Sequence, residues 1–247
     1  MDDRHLQRMR HRRSRALVTA AGPRMRPALN DLSLPTFARY ASRWEWQLLV
    51  EDLATDVGGS AEWDKLRLIR QALEVYELVL WLDAETLLLR DDQDVTAHLH
   101  PDHFQALGLE HVPSEHRINP TTGAWLFRSC PAAFAFLDAV DDAGPQAGPW
   151  AVQGAVLAAL GWERGDESYR WSRPGQGSAH LAGTSWLPQS WNQQFVDQQV
   201  EGRPRVTDPH AVHFHGMSPA DRYRAMAQLI GQPAELRQVV PDLVITR

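Results

Sequence analysis

Asp83 and Glu85 stand in the run Trp81-Leu82-Asp83-Ala84-Glu85, two acids separated by one residue directly after an apolar stretch. In extended chain, positions i and i+2 project to the same side about 7 Å apart at the backbone, so both carboxylates can approach one divalent cation or its bound water. A cation held there neutralises a diphosphate leaving group, the main electrostatic obstacle to breaking a sugar–phosphate bond. Two acids after a strand would equally well open a solvated loop, because a three-residue acidic motif is short.

Other residues with chemical potential carry weaker patterns. His98, His100, His103, His111 and His116 could compose a metal site, but they fall in a Pro-containing stretch that neither strand nor helix holds rigid, which favours a solvated loop. Cys130, the only cysteine, precedes Pro131 at the start of an apolar run and reads as a small buried side chain; no internal disulfide is possible. Trp150, Trp162, Trp171, Trp186 and Trp191 offer faces that suit sugar rings, although most tryptophans pack in cores or at their rims.

The elements that must position Asp83 and Glu85 follow from periodicity. Ala16 to Thr19 is a buried strand feeding the turn at Ala20-Ala21-Gly22-Pro23, and Pro27 to Arg43 repeats apolar residues at helical spacing with Pro35 placed to kink or split it. Trp46 to Val50 is a second strand. Leu66, Ile69, Leu73 and Tyr76 share one helical face, and Leu78 to Leu82 is then apolar without alternation, the pattern of a strand covered on both sides. Strands alternating with helices predict a parallel sheet, and Asp83 then falls at the carboxyl end of a central strand, where such folds bind ligands.

Beyond Asp83 the pattern predicts a strand over Thr86 to Arg90, strands at Phe104 to Leu109 and Ala124 to Phe127, and helices at Ala132 to Val140 and over residues 150 to 160. Long loops are expected between Gly161 and Ser190. Val212 to Phe214 forms a last short strand before a helix from Pro219 to Ile230, with Ser218 as its N-cap.

The 247 residues suffice for one α/β domain, taken as 16–247 after a basic leader over residues 1–15. A net charge of −6 gives no reason to expect nucleic acid as a partner. No run approaches the ~20 apolar residues of a membrane span, and no signal-peptide core opens the chain, so a cytoplasmic protein is expected.

The blocks Trp63-Asp64-Lys65-Leu66 and Tyr76 to Glu85 resemble the lysine, helix, strand and Asp-x-Asp arrangement of the glycosyltransferase family 34 enzymes, galactosyl- and mannosyltransferases of GT-A fold. Thr122-Gly123-Ala124-Trp125-Leu126-Phe127-Arg128 is similar to that family's Asn-(Ser/Thr)-Gly strand, and Val212-His213-Phe214-His215-Gly216 to its His-x-x-Gly ending. These blocks occur in order over about residues 15 to 217. The resemblance implies a Rossmann-like, mostly parallel α/β sheet and transfer of a hexose or pentose from a UDP- or GDP-linked donor to the hydroxyl of a small molecule or glycan, with retention.

By the same resemblance, Asp83, Glu85 and His213 hold the metal, and Thr19, Lys65, Asp83, Ala84, Glu85 and Gly216 meet the donor. Thr122, Gly123 and Trp150 face the sugar and acceptor, and Gln153 stabilises charge at the anomeric carbon. Two oxygen ligands and an imidazole suit Mn²⁺, with Mg²⁺ tolerated. His215, on the same side of the chain as His213, is a rival ligand. The chain departs from the pattern at Glu85, where Asp is usual, at Thr121, where Asn is usual, at Val152, where a carboxylate is expected, and at Ser218, which replaces a lysine. Arg222 or Arg224 could supply the missing charge.

Two rival functions remain. The segment Ala20 to Met25 faintly resembles the phosphate loop of sugar nucleotidyltransferases, but Pro23 removes a donor where one is wanted. A non-catalytic nucleotide-sugar binding protein would account for Val152 and Ser218.

Overall fold

The computed structural model describes residues 13–54, 59–112, 117–146, 151–164, 171–174, 178–195 and 206–231. β1 (Arg13–Ala21) is flanked by β2 (Gln47–Asp52) and β3 (Tyr76–Leu82), both parallel to it. The sheet continues through β6 (Arg117–Arg128), antiparallel to its neighbours, then β5 (Gln105–Val112) and β9 (Thr184–Trp186), in the order β2-β1-β3-β6-β5-β9. All strands but β6 run the same way, so the sheet is mostly parallel.

β1 lacks alternation because both of its faces are covered. Ala16, Val18 and Ala20 pack with Leu66, Ile69 and Leu73 of α3 (Gly59–Val75), and with residues of α4 (Pro131–Ala143) and α5 (Ala151–Leu160). Leu17 and Ala21 face the opposite layer, with Leu29, Phe37 and Tyr40. Apolar residues at consecutive positions are what a doubly covered strand requires.

The helix expected over Pro27 to Arg43 is split. α1 (Arg26–Ala28) passes into a π-helical turn, Leu29–Ser33, before α2 (Leu34–Trp44). Pro35 has no N–H to give and its ring crowds the carbonyl one turn back, and a widened turn ahead of it relieves both demands. Ser33, in that turn, donates its hydroxyl to the Ala84 carbonyl at 2.7 Å, so the irregular turn reaches the acidic loop directly.

Three short strands beyond Asp83 form a second, small sheet. β4 (Thr86–Leu88) pairs antiparallel with β11 (Ala211–His213), and β10 (Gln193–Gln194) lies parallel on the far side of β11. The predicted strand over Thr86 to Arg90 exists in part, but outside the main sheet. The loop-rich interval also holds more structure than its composition suggests: the pair β7 (Trp162–Arg164) and β8 (Trp171–Pro174), the turn-length α6 (Ala179–Ala182), and β9. Gln105, wholly buried in β5, accepts from Trp125 Nε1 on β6 and donates to Thr184 Oγ1 on β9, which fixes that edge strand in place. The last described element is α7 (Pro219–Leu229), capped by Ser218, whose Oγ accepts from the Asp221 N–H at 3.2 Å.

Two expectations need correction. Cys130 is only half-buried, at the N-cap of α4, because a cap residue sits where the helix meets solvent. His98 is not a loop residue in solvent: it ends a 3-10 turn, Val95–His98, with its ring 6.2 Å from that of Trp191 and its Nε2 buried. No described helix is long and apolar enough to cross a membrane.

Candidate active site

Asp83 extends β3 by one ladder bond, its N–H donating to Gly123 O at 2.9 Å, and the chain then turns as the Thr86 N–H donates to Asp83 O. That turn, with Ala84 O held by Ser33, carries Ala84 and Glu85 and leads into β4 at Thr86. Antiparallel pairing of β4 with β11 sets Thr86 opposite His213, and the Phe214 N–H donates to Glu85 O at 3.0 Å. Two backbone ladders therefore converge on the acidic pair from distant parts of the chain.

The outcome is a compact polar cluster. His213, only 3% exposed, has its Nε2 at 3.5 Å from Asp83 Oδ2 and at 3.5 Å from Glu85 Oε1. His215 Nδ1 lies 3.6 Å from the same Glu85 oxygen. Glu85 Oε2 is bound by Arg222 Nη1 at 2.6 Å, and that guanidinium also donates to the carbonyls of Phe214 and Met217. Burial by itself would raise the Glu85 carboxyl; the imidazoles of His213 and His215 and the charge of Arg222 outweigh it and hold the group well below the usual carboxylate range, so it is ionised.

Asp83 is fixed from the opposite side. Its Oδ1 accepts from Trp81 Nε1 at 2.7 Å and pairs with Lys65 Nζ at 2.7 Å, leaving Oδ2 turned toward His213. Lys65 also donates to the carbonyl and hydroxyl of Thr122 and lies over the Trp81 ring at 5.4 Å. The ammonium is thus committed to Asp83 and Thr122 as the side chains stand.

Beneath His213 lies Gly123. A Cβ on that residue would stand 2.5 Å from His213 Cε1, so a glycine is what lets the ring seat there. The other ring nitrogen, Nδ1, is 3.2 Å from the side-chain amide of Gln194, which β10 sets beside His213 in register. His213 Nε2 is buried and has no hydrogen-bond partner among the described residues. A divalent cation with bonds of ~2.1 Å to ligands at right angles spaces the ligand atoms about 3 Å apart, close to the 3.5 Å separations here. The donor set therefore fits a hard or borderline divalent cation: an imidazole nitrogen and ionised oxygen beside it, with an outer partner to orient the ring.

The remaining predicted residues are placed as follows. Thr19 is wholly buried on the face of β1 toward the π turn, with Oγ1 unpartnered among the described residues. Gly216 has φ +77, a left-handed conformation that favours glycine, and it turns the chain from β11 toward α7. Gln153, on α5, donates Nε2 to Pro120 O at 2.9 Å and so tethers α5 to the strand carrying Thr121, Thr122 and Gly123. Val152 is 1% exposed and part of the main core, where an ionised carboxylate would be costly. Of the two arginines, Arg222 reaches the cluster and Arg224 pairs with Asp221. Trp150, His116 and the side chain of His111 lie outside the described residues. Trp191 is fully buried between Tyr40 and His210.

Sequence reasoning missed Trp81 and Gln194 as partners of Asp83 and His213. Trp81 carried a usable signal, since in a strand it shares a side with the residue two positions on. Gln194 carried none, because its place depends on β10 pairing with β11.

Neither a protein-family model nor a curated protein matches the chain. Solved structures do. A glycosyltransferase involved in glycosylation of the major capsid of PBCV-1 superposes with a TM-score of 0.58 at 17% identity, over 86% of this chain and 99% of that one. The bifunctional glycosyltransferase WbbM, in its apo form, gives a TM-score of 0.55 at 9% identity over 89% of this chain and 50% of its own. The galactosyltransferase LgtC, in complex with donor and acceptor sugar analogues, gives 0.50 at 12% identity over 87% and 95%. At these identities the likeness is one of fold: the chain has the GT-A architecture shared by these enzymes.

Proposed function

We propose that the chain is a metal-dependent glycosyltransferase that moves a sugar from a UDP- or GDP-linked donor to an acceptor hydroxyl. The observation that carries this reading is the convergence of Asp83, Glu85 and the buried His213 Nε2, at 3.5 Å, in a fold shared with glycosyltransferases. Asp83, Glu85 and His213 would hold Mn²⁺ or Mg²⁺, which when bound supplies positive charge to the departing diphosphate.

The chain's own residues have the following parts. Thr19 and Ala84 line the nucleotide end of the site, and Gly216 allows the chain after His213 to approach the diphosphate. Arg222, already within the cluster, adds a second positive charge beside it and takes over from the lysine that Ser218 replaces. Lys65 holds Asp83 in orientation through their ion pair. Thr122 and Gly123 border the transferred sugar, and the Gln153 amide oxygen is the group assigned to stabilise positive charge at the anomeric carbon. With retention, the acceptor hydroxyl attacks on the face from which the diphosphate leaves, a diphosphate oxygen takes its proton, and no protein base is required.

Val152 favours a second reading, a nucleotide-sugar binder without turnover, because the position of an expected carboxylate is wholly apolar and buried. The deciding experiment incubates the protein with UDP- and GDP-sugars and Mn²⁺ and follows both transfer and donor hydrolysis. Release of nucleoside diphosphate supports the enzyme; metal-dependent UDP affinity without any turnover supports the binder, and neither binding nor turnover rejects both.

A further inference from the structure

We infer that His215 is a direct ligand of the cation, so that the site offers two imidazoles to the metal and discriminates in favour of transition metals over Mg²⁺ and Ca²⁺. The inference deepens the metal site on which the proposed function rests. Among the described residues, Glu85, His213 and His215 bring one ligand atom each to within 4.8 Å of one another. Glu85 Oε1 is their common point, 3.5 Å from His213 Nε2 and 3.6 Å from His215 Nδ1. The two rings, with centroids 5.8 Å apart, both turn toward that oxygen.

The backbone explains how both imidazoles reach one place. His213 ends β11 and His215 stands two residues on, in the turn that follows the strand, so the chain bends to bring both rings to Glu85 Oε1, while Phe214 between them stacks on Phe195 at 4.7 Å. The two histidines differ in exposure. The His213 side chain is 4% exposed and its buried Nε2 is aimed into the cluster without a hydrogen-bond partner among the described residues, whereas His215 is 68% exposed and closes the cluster on its open side. A cation entering from solvent would meet His215 first and then the buried nitrogen.

Asp83 and Glu85 each keep one oxygen for this purpose. Asp83 Oδ1 is held by Lys65 and Trp81, and Glu85 Oε2 by Arg222, so each carboxylate is turned to present its other oxygen to His213. Imidazole nitrogen favours Mn²⁺, Co²⁺ and Zn²⁺ relative to the strongly hydrated, oxygen-seeking Mg²⁺ and Ca²⁺. Adding a second imidazole to the Glu85 oxygen and the His213 nitrogen moves the preference further in that direction.

The test uses the intact protein without any sugar donor. Pulsed EPR of bound Mn²⁺ counts directly coordinated imidazole nitrogens, and calorimetric titration with Mn²⁺, Co²⁺, Mg²⁺ and Ca²⁺ gives the selectivity. The expected result is two nitrogens in the wild-type protein and one in His215→Ala, with Mn²⁺ affinity reduced by about tenfold or more in the variant and Mn²⁺ favoured over Mg²⁺ less strongly. One coupled nitrogen in the wild type, an unchanged count in His215→Ala, or equal Mn²⁺ and Mg²⁺ affinity in the wild type overturns it. Two coupled nitrogens in a protein that transfers no sugar would keep this ligand assignment and reject the enzyme reading; sugar transfer with a single coupled nitrogen would do the reverse.

Discussion

Gly123 and His213 are locked together by sterics: the imidazole occupies the space that any side chain at position 123 would need, with only 2.5 Å between its Cε1 and the Cβ such a residue would carry. Gly123→Ala must therefore push the ring away from Asp83 and Glu85. Overpacking of this kind costs about 1–3 kcal/mol of stability. Mn²⁺ affinity measured by calorimetry is expected to fall about tenfold or more. A folded Gly123→Ala protein that binds Mn²⁺ as tightly as the wild type would show that the ring position is immaterial to the cation.

Asp83→Asn and His213→Ala are each expected to abolish metal-dependent transfer, with losses of at least about 10²-fold in rate, while circular dichroism stays native. Asparagine keeps the shape of the carboxylate but removes its charge. Near-normal turnover in either variant would remove that residue from the proposed machinery.

Lys65 and Asp83 form a mostly buried ion pair, with side chains 10% and 23% exposed. Lys65→Met keeps the stem and deletes the charge, which strands Asp83 opposite an apolar group. Breaking one side of a buried pair costs on the order of 3 kcal/mol. For a chain of this size that corresponds to a melting temperature lower by roughly 6–12 °C, readable by calorimetry. A change of less than a degree would mean that Asp83 is solvated rather than held by Lys65.

Gln194→Ala removes the amide beside His213 Nδ1 without touching the cluster itself. In this structure Gln194 presents its amide nitrogen to Nδ1, whereas a metal on Nε2 requires the proton on Nδ1, which the amide accepts once turned to present its oxygen; without that partner Mn²⁺ binding is expected to weaken by about 10- to 100-fold with little change in thermal stability of the metal-free protein. Gln194→Glu should restore most of the affinity, because a carboxylate accepts the Nδ1 proton. Failure of that rescue would limit Gln194 to packing.

His98 and His210 predict an acid-side loss of stability separate from the site. Burial lowers both below the ordinary histidine value of 6.5, with the neighbouring histidine adding to the effect at His98 and Arg90 at His210. Above that value both states of the protein carry neutral rings. As pH falls below it, the unfolded chain takes up protons before the folded one does, so stability declines from about neutral pH downward. His210→Phe, which keeps a ring against Trp191 at the stacked position, should flatten that slope in urea titrations between pH 7.5 and 5.5. An identical slope in the variant would assign the loss to other groups.

The sequence by itself determined the first half of the sheet and the place of Asp83 at its carboxyl edge. Leu78 to Leu82 is apolar at every position because β3 is covered on both faces, and Leu66, Ile69 and Leu73 repeat at helical spacing because one face of α3 lies on that sheet. The capping hydroxyl of Ser218 was equally plain, since a cap is a contact between residues three apart. Such features act through neighbours in the chain, and their residue types record them.

Only the tertiary structure decided how His213 meets the acids. The meeting depends on β4, β10 and β11, strands of two or three residues whose pairing partners lie far apart in sequence and whose buried glutamines, Gln193 and Gln194, resemble loop residues in composition. The pinning of Asp83 by Lys65, the grip of Arg222 on Glu85 and the seat that Gly123 leaves for an imidazole arise in the same way. Each is a contact across elements, made favourable by desolvation and close packing once the chain is folded, and neither of those forces leaves a periodic trace in the order of the residues.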